Sequence, residues 1–551
     1  MLEKNLIPTG VVPQSSLPDS PDDGYPCLAA TLQQADDWSR RAVEHQRKGE
    51  IAASVACYQK ALAFAPNNAS LWNDLGAILT EANRKALAAG ADQAPTWSNL
   101  GKTLRDFRQI DGAVQCYRRA MELDPQREKF RRGLAVALNA RGIALRAGGK
   151  LQLSVSCYRE ALSLIPHYAA LWSNLGNALK DLKQIESAIF CHRRAIELGR
   201  QSPAFLFNLA VALAAGNRSL EAIETLDKAL TLKPDDPHLR WDRALNELRL
   251  GGYQHGWVDY EARLNTGMLP NRQLPGQLWK GQSYVGEKLI LLSEQGFGDG
   301  LWCARYLAQV KAAGGILILE CRKELIPLMA EMGIADKIIE KGALLPQAEW
   351  HCHICSLPGL YSTTPRAISG APYLTVPIDR LNGIRDRLSK PRTVLRVGIV
   401  WSGSTTFKGN GDRAVSLSRF IDAFAMPGVQ LYSLQKGPPE TELKAYKHKV
   451  IDLAPHLKDF ADTAAAIAEL DLVIMTDSAV AHLSGALGKP VWVLINHVSH
   501  WLWLTGRPDS PWYRSLRLFR AGTLDDWAGV FDAAAAELMR LVERTDIVGK
   551  P

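Results

Sequence analysis

The sequence predicts two kinds of structure in one chain: an α-helical solenoid built from repeated helix pairs, followed by an α/β region of two lobes. Three observations predict this. The first half repeats itself at a regular interval, apolar runs alternate with helical stretches after residue 286, and that alternation restarts near residue 391. A chain of 551 residues is too long for one compact core, so separate domains are expected.

The predicted boundaries follow these changes of pattern. We expect a disordered tail over 1–35, repeats over 36–265, a linker over 266–285, a first α/β lobe over 286–390 and a second over 391–551. The tail is rich in Pro, Ser and Asp, and it lacks the long apolar run of a secretory signal. Pro, Gly and polar residues mark the linker.

The composition is that of an ordinary globular protein, with 47% apolar and 22% charged residues. The formal net charge of +8 is spread along the chain, and no dense Lys/Arg block indicates nucleic-acid binding. No run of about 18 uncharged apolar residues occurs, so no membrane span is predicted. Several of the nine cysteines occupy matching helix positions, which is typical of small core residues and favours a reducing cytoplasm.

One cysteine cluster resembles a set of metal ligands. It is HCHIC, residues 351–355. A single CxxC with no second pair nearby is a weak zinc signature, and the alternation favours a short strand with the cysteines on one side. No metal site is therefore expected.

Two motifs recur through the first half. SVACYQKALAFAP, AVQCYRRAMELDP and SVSCYREALSLIP end at Pro66, Pro125 and Pro166, and the elements LWNDLG, TWSNLG and LWSNLG begin at Leu71, Thr96 and Leu171. Trp, Leu and Ala fall at helical spacing, and each closing proline ends a helix. One such helix pair cannot bury its apolar stripe alone, whereas stacked neighbours can.

The period identifies the repeat. Cys157, Cys191 and Thr225 are spaced at a constant interval of 34 residues. That interval, the W-x-x-L-G element and the closing proline resemble tetratricopeptide repeats over about residues 38–265. The spacing is irregular before Cys157, with a short unit near Trp72 and an insertion over 130–150. The resemblance implies a superhelix with a concave groove.

Three asparagines recur at one position of the first helix in a pair: Asn99, Asn174 and Asn208. In related solenoids such asparagines line the groove and bind the backbone of an extended peptide, so they are candidate acceptor-binding residues. The alternative is that they are exposed helix residues with no ligand.

The pattern of the second half predicts parallel strands covered by helices. Strands are expected at 287–292 and in GILILE (315–320), and helices over 301–313 and 324–332. The pattern restarts with RVGIVW, VQLYSL, DLVIMTD and PVWVLI. Two such sets predict two doubly wound lobes facing each other, with ligands at the carboxyl ends of the strands.

Polar loops follow several of these apolar runs. Their candidate ligand-binding residues are Ser402, Lys408 and Arg413 after the first run, Gln435 and Lys436 after the second, and Thr476, Asp477, Ser478, Ala479 and His482 after the third. Free amides at a helix start and basic side chains suit the oxygens of a diphosphate. No P-loop motif is present, so a P-loop kinase or ATPase is not favoured.

The first lobe opens with a glycine loop, LILLSEQGFGDG, in which Gly296, Gly298 and Gly300 flank Asp299. This is GxGxG and not the GxGxxG of dinucleotide-binding folds. A dinucleotide oxidoreductase is therefore a weak alternative, with Glu320 as its nearest candidate ribose ligand.

SEQGFGDGLWCARYL, DFADTAAAIAELDLVIMTDSAVAHLSGALGKPVWVL and SPWYRSLRLFR resemble bacterial glycosyltransferases of the GT-B fold, which has two Rossmann-like lobes. The stretch of about 275–545 is similar to heptosyltransferases of glycosyltransferase family nine. The union of tetratricopeptide repeats with GT-B resembles O-GlcNAc transferases and flagellin-modifying transferases of some bacteria. The resemblance implies a protein acceptor on the solenoid and a nucleotide-sugar donor on the second lobe.

The resemblance also implies roles for the candidate residues. Asp299 matches the general base, although an Asp beside a helix start is also a good cap. Arg413 would neutralise the leaving diphosphate with help from Lys408, and the Gln435–Lys436 loop would meet the base and ribose. The turn at 476–479 would hold the phosphates, while His482 either points into the cleft or packs. No DxD pair stands out, so neither a metal nor another cofactor is expected.

The predicted activity is an inverting protein O-glycosyltransferase that acts on Ser or Thr of a docked protein, for which flagellin is one candidate. DSAV stands where the heptosyltransferases have DTGL, so the donor sugar stays open between a hexosamine and a nonulosonic acid. Two alternatives remain: a binding scaffold with an inactive transferase-like domain, and a heptosyltransferase-like enzyme of surface-polysaccharide assembly.

Overall fold

The structure is a computed structural model that describes residues 25–65, 68–88, 93–199, 202–270, 272–294, 296–385, 388 and 394–548. The chain divides into two compact units, Met1–Leu182 and Lys183–Pro551.

The first unit consists of antiparallel helix pairs. Its helices are α1 (Tyr25–Arg47), α2 (Ile51–Phe64), α3 (Ala69–Ala88), α4 (Ala94–Asp106), α5 (Ile110–Leu123), α6 (Glu128–Ala147), α7 (Leu151–Leu164) and α8 (Ala169–Asp181). Helix α1 begins inside the stretch predicted as a tail, so the predicted tail of 1–35 is too long at its C-terminal end. Pro66, the predicted end of the first repeat, lies outside the described residues.

Glycines on the first helix of two pairs have a structural reason. A Cβ atom on Gly101 would lie 3.0 Å from the ring of Tyr117, and one on Gly142 would lie 2.6 Å from the ring of Tyr158. Each glycine thus lets the tyrosine of the next helix pack against its backbone. The hydroxyl of Ser154 also donates to the carbonyl of Gly142 at 2.7 Å. These contacts fix the helix pairs that the sequence period predicted.

The second unit begins with further helices of the same kind. They are α9 (Ile185–Leu198), α10 (Pro203–Ala215), α11 (Ser219–Leu232), α12 (Pro237–Leu250) and α13 (Tyr253–Tyr260), followed by a 3₁₀ helix over Glu261–Asn265. Aromatic residues of α13 are buried within the unit, and Trp257 meets Trp501 edge to face with ring centroids 5.5 Å apart. The last repeat is therefore continuous with an α/β core.

The first sheet is entirely parallel. Its strands are β1 (Gln277–Leu278), β2 (Lys288–Leu292), β3 (Ile316–Cys321), β4 (Lys337–Glu340) and β5 (Trp350–His353), in the order β1-β5-β2-β3-β4. Its helices are α14 (Phe297–Cys303), α15 (Leu307–Ala312), α16 (Ile326–Glu331) and α17 (Leu357–Leu360). The predicted linker supplies the edge strand β1 and buries Trp279, so this part of it belongs to the sheet.

After α18 (Ile378–Arg385) comes a second sheet. Its strands are β6 (Leu395–Val400), β7 (Val429–Ser433), β8 (Val450–Asp452), β9 (Leu472–Thr476), β10 (Val491–Ile495), β11 (Asp509–Ser510) and β12 (Tyr513–Arg520), in the order β11-β12-β10-β9-β6-β7-β8. Only the pairing of β11 with β12 is antiparallel among the described strand pairs. Its helices are α19 (Leu417–Phe424), α20 (Phe460–Ala468), α21 (Ala479–Ala486) and α22 (Trp527–Val548). The predicted α/β region with parallel sheets is thus confirmed.

Within the described residues, no helix combines the length and the apolar character that a membrane crossing requires. The cysteines whose side chains are described are all free thiols and all buried.

Candidate functional site

The turn after β9 is the centre of the predicted donor site. Strand β9 ends at Thr476, and α21 begins at Ala479 with Ser478 as its N-cap residue. The hydroxyl of Ser478 contacts the sulfur of Met475 at 3.7 Å and does not cap the helix. The first-turn amides of α21 therefore keep their partial positive charge at this turn.

Arg413 joins the same turn from the loop after β6. Its Nη1 lies 3.3 Å from Oδ2 of Asp477 and 3.4 Å from the backbone oxygen of Asp477. The guanidinium also lies 4.3 Å above the ring centre of Phe407. The backbone of Lys408 belongs to a short 3₁₀ helix, Lys408–Asp412, but its side chain lies outside the described residues. The structure therefore brings two of the three predicted loops together at Asp477.

Gln435 joins the loop after β6 to the loop after β7 through hydrogen bonds of its side chain. Its Oε1 accepts hydrogen bonds from the backbone N–H groups of Trp401 (3.1 Å) and Ser402 (2.9 Å), and its Nε2 donates to the backbone oxygens of Ser402 and Lys436. The side chain is buried, so its amide is used in joining the ends of β6 and β7. This differs from the predicted contact with a nucleotide.

Ser402 and Lys436 are also engaged within the protein. The hydroxyl of Ser402 accepts a hydrogen bond from Nδ2 of Asn410 at 3.1 Å. The ammonium of Lys436 donates to the backbone oxygen of Ala454 at 2.9 Å, although half of its side chain is exposed. Thr476 is fully buried, and no hydrogen-bond partner of its hydroxyl is found among the described residues.

In the first lobe, Asp299 lies in the first turn of α14. Its Oδ2 accepts a hydrogen bond from the backbone N–H of Gly296 at 2.8 Å. The capping role that competes with the general-base role is therefore present. The same carboxylate lies at the carboxyl end of β2, where ligands of such sheets bind.

The glycine loop of the first lobe contacts α21 of the second. A Cβ atom on Gly298 would lie 3.2 Å from the ring of His482, which leaves no comfortable room for a side chain there. The rings of Phe297 and Phe460 are 4.9 Å apart, and α14 packs against α21. The loop that carries Asp299 and the helix that follows Ser478 are thus neighbours.

His482 is held in a buried aromatic setting. It stacks on Trp503 with ring centroids 5.0 Å apart and planes at 12°, and its Nδ1 lies 3.0 Å from the hydroxyl of Tyr513. Burial lowers the pKa of His482 from 6.5 to about 3, because the charged form is disfavoured away from water. The imidazole is therefore neutral near pH 7, and it packs beneath the Gly298 loop.

One ion pair beside the glycine loop was not predicted. Arg263, in the 3₁₀ helix after α13, makes two hydrogen bonds to Glu294, which directly follows β2 and precedes the loop. Glu294 was part of the SEQGFGDG motif, but Arg263 is far from it in the sequence, so no local pattern indicated the pair. Tyr513 lies in the SPWYRSLRLFR motif, which predicted no role for it.

The three candidate groove asparagines occupy the predicted helices. In the first unit, Asn99 is exposed on α4, and Nδ2 of Asn174 on α8 donates to Oδ1 of Asn139 at 2.8 Å. Asn208 is half-buried on α10 in the second unit. Asn139 lies in the segment predicted as an insertion, which is why the sequence missed it.

HCHIC forms β5 and the 3₁₀ helix after it. Nδ1 of His351 lies 2.8 Å from the backbone oxygen of Pro275, and the sulfur of Cys355 lies 3.8 Å from that of Cys303. The expectation that both cysteines lie in the strand is wrong for Cys355, since β5 ends at His353. No group of three His, Cys, Asp or Glu side chains within the described ranges is arranged to hold a metal ion.

Family models for the tetratricopeptide repeat match residues 92–167 and 173–237. The helical half carries tetratricopeptide repeats. This confirms the resemblance that the W-x-x-L-G element and the 34-residue interval indicated.

Curated relatives match over very different lengths. Protein FlbA of Caulobacter vibrioides is 27% identical over 543 residues, which cover 91% of this chain and 83% of that protein. A probable UDP-N-acetylglucosamine–peptide N-acetylglucosaminyltransferase, SPINDLY of Hordeum vulgare, is 30% identical over 83 residues, which cover 15% of this chain and 9% of that protein.

Among solved structures, YrrB, described as a tetratricopeptide-repeat protein with an unusual peptide-binding site, is similar over part of the chain. It has 18% identity and a TM-score of 0.29, and the match covers 34% of this chain and 92% of YrrB.

Proposed function

We propose that this protein is an inverting protein O-glycosyltransferase with a GT-B fold. A nucleotide sugar on the second lobe donates its sugar to a Ser or Thr hydroxyl of a protein that the repeats hold. One observation carries the proposal: the Gly298 loop, with Asp299, lies against His482 of α21, while Arg413 reaches Asp477 at the start of that helix. A candidate base and a candidate diphosphate site are thereby adjacent.

The donor diphosphate is assigned to the turn after β9. The amides of Ser478 and Ala479 and the guanidinium of Arg413 supply positive charge where the leaving group gains negative charge. Lys408, on the same loop as Arg413, is assigned as a second cation. The chemistry then requires no metal ion, because these groups carry the leaving-group charge. Gln435 is assigned to holding the loop, and Lys436 to the rim on the nucleoside side.

The acceptor hydroxyl is assigned to Asp299. Its carboxylate takes the proton as the hydroxyl oxygen attacks the anomeric carbon, and the bond between that carbon and the diphosphate oxygen breaks. The attack comes from the face opposite the leaving group, so the configuration inverts. The hydrogen bond from Gly296 orients the carboxylate for this step.

Tetratricopeptide arrays commonly bind extended segments of other proteins, and this supports a protein acceptor. Asn99, Asn174 and Asn208 are the assigned contacts to the acceptor backbone. Flagellin is one candidate acceptor, and the cytoplasm is the proposed location. The name of the barley relative points to peptide glycosylation in that protein, but the match covers 15% of this chain. The donor sugar is assigned only as a nucleotide-linked hexosamine or nonulosonic acid.

The proposal is tested in two steps. Purified protein is heated with UDP, GDP and CMP separately, since a nucleotide that binds the folded state raises the melting temperature. Cells with and without the gene are then compared by mass spectrometry of intact flagellin and other candidate acceptors. A nucleotide-dependent shift and a sugar-sized mass lost with the gene are expected. No shift with any nucleotide and no lost modification would favour a scaffold, whereas loss of a surface polysaccharide would favour a heptosyltransferase-like enzyme.

A further inference from the structure

Residues 499–504 of the second unit meet two elements that each carry an arginine with a buried Nε unpartnered among the described residues: helix α12 with Arg249, and strand β12 with Arg520. Helix α12 packs against the 3₁₀ helix Trp501–Trp503 and carries Arg249 near its end. Arg520 lies at the end of β12 and donates from Nη2 to the backbone oxygens of Trp503 (3.1 Å) and Leu504 (2.7 Å). Its Nη1 donates to the hydroxyl of Ser499 at 2.7 Å.

Neither guanidinium has a carboxylate partner. Among the described residues, no acidic oxygen is within 4.0 Å of Arg249 or Arg520, and the buried Nε atom of each has no hydrogen-bond partner. Arg249 makes only long contacts, from Nη1 to the hydroxyl of Ser219 (3.4 Å) and to Oδ1 of Asn246 (3.3 Å). Asp242, on the same helix, attracts Arg249 only at longer range.

Such an arrangement lowers the stability of the folded state unless an anion balances the positive charges. Burial lowers the pKa of both arginines, and the charge of Arg249 lowers the pKa of Arg520 further. Two half-buried cations that repel each other, each with an unpartnered Nε, are normally accompanied by an anion. An arginine fork matches the two oxygens of a carboxylate or a phosphate.

The location links these arginines to the proposed donor site. His500, on the same segment, has an exposed edge but is crowded by protein atoms, and this crowding lowers its pKa to about 4. The protonated form of His500 is favoured by the charge of Asp477 and disfavoured by the charges of Arg413 and Arg249. In the sheet order, β12 and β10 lie on one side of β9, whereas β6 and β7 lie on the other. Arg520 is thus on the flank opposite Lys436 and the proposed nucleoside side.

We propose that Arg249 and Arg520 form a subsite for an oxyanion of a substrate, namely a carboxylate carried by the transferred sugar or by an acidic side chain of the acceptor. The anion-binding property follows from the two arginines alone. The identity of the ligand as sugar or acceptor rests on the proposed glycosyltransferase function.

The test uses the full chain and the fluorescence of its tryptophans, since Trp501 and Trp503 lie on the bridged segment. Glucuronate, glucose and inorganic phosphate are titrated separately. We expect saturable binding of glucuronate and competition by phosphate, but little response to glucose. Arg249→Gln should weaken glucuronate binding about tenfold or more, which is the usual effect of losing a charged hydrogen-bond donor.

Matched variants separate binding from folding. Arg240→Gln removes a partly exposed arginine from the same helix α12 and should leave binding within about twofold of the wild type. Arg249→Lys keeps the charge and should restore part of the affinity. Arg520→Gln provides an independent second variant. The proposal is overturned if neither glucuronate nor phosphate binds saturably, or if binding survives both Arg249→Gln and Arg520→Gln.

Two peptides identify the source of the oxyanion. A Ser peptide flanked by Asp residues is compared with the same peptide flanked by Asn. Arg249-dependent preference for the acidic peptide assigns the site to the acceptor, and preference for glucuronate assigns it to the sugar. Nucleotide-induced stabilisation is measured in parallel. Anion binding without any nucleotide effect would leave this subsite standing and the transferase function rejected, and the reverse result would reject the subsite alone.

Discussion

Arg263 and Glu294 form a two-pronged ion pair with almost no contact with solvent. Nε and Nη2 of Arg263 lie 2.8 and 2.7 Å from the two carboxylate oxygens of Glu294, and the side chains are 2% and 3% exposed. The backbone N–H of Cys355 donates to the same carboxylate at 3.0 Å. The pair ties the end of the last repeat to the strand that leads into the glycine loop.

This pair predicts a large loss of stability when one partner is removed. Arg263→Met leaves a buried carboxylate uncompensated, so the free energy of unfolding should fall by about 3–5 kcal/mol. Urea unfolding measures it. The double variant Arg263→Met/Glu294→Leu should recover much of that loss, and Arg540→Gln, which breaks an exposed pair, should cost at most about 1 kcal/mol. A loss from Arg263→Met no larger than that of Arg540→Gln would contradict this reading of the pair.

The buried His482 predicts how stability changes with acid. Burial lowers its pKa in the folded protein to about 3, against 6.5 for an ordinary histidine. Between these values the unfolded state binds more protons, so the contribution of neutral His482 is complete above pH 6.5 and is lost as the pH falls towards 3.

We therefore expect His482→Phe, which can still stack on Trp503, to flatten the fall in unfolding free energy between pH 6.5 and 4. The slope should change by up to about 1.4 kcal/mol per pH unit. Chemical denaturation at a series of pH values measures it. His448→Gln, at an exposed position, serves as the control and should leave the slope as it is. An unchanged slope in His482→Phe would mean that this histidine is not kept neutral by burial.

The repeats and most central strands could be predicted because their signals are local. The 34-residue interval identified the helix pairs, and apolar runs placed β2, β3, β6, β7, β9 and β10 to within one or two residues. Strand β12 was missed because charged and polar residues interrupt its apolar ones. The start of α1 was missed because its low hydrophobicity resembles that of a tail.

The candidate site was only partly visible in the sequence for a different reason. Loops at the carboxyl ends of parallel strands must lie near one edge, so the loops that carry Arg413 and Asp477 could be assigned to one site from the sequence. Whether a candidate side chain is already hydrogen-bonded within the protein depends on tertiary packing. The side-chain amide of Gln435 makes four hydrogen bonds to backbone atoms, and helix α12, which carries Arg249, packs against the 3₁₀ helix Trp501–Trp503. No spacing rule connects residues that are so far apart in the chain.

Arg413 and Lys436 should differ in their effect on nucleotide binding. Arg413→Ala removes a planar cation at the proposed diphosphate turn and should weaken a stabilising nucleoside diphosphate about tenfold or more. Lys436→Ala removes an ammonium that already donates to the backbone of Ala454, so we expect a change within about threefold. Calorimetric titration of both variants measures the difference. Equal effects, or a larger effect of Lys436→Ala, would place the diphosphate elsewhere.

Two substitutions of Asp299, to Asn and to Ala, distinguish a catalytic role of this residue from a structural one. Its carboxylate accepts the N–H of Gly296, and an asparagine oxygen can accept the same hydrogen bond. Asp299→Asn should therefore keep the stability of α14, whereas Asp299→Ala should lose about 1 kcal/mol.

If Asp299 is the general base, both variants should lose transfer by a factor of about 10²–10⁴, because neither can take the proton. If it only caps the helix, Asp299→Asn should transfer sugar at nearly the wild-type rate and Asp299→Ala alone should be impaired. Single-turnover transfer to the acceptor, with urea unfolding of each variant alongside, decides between the two.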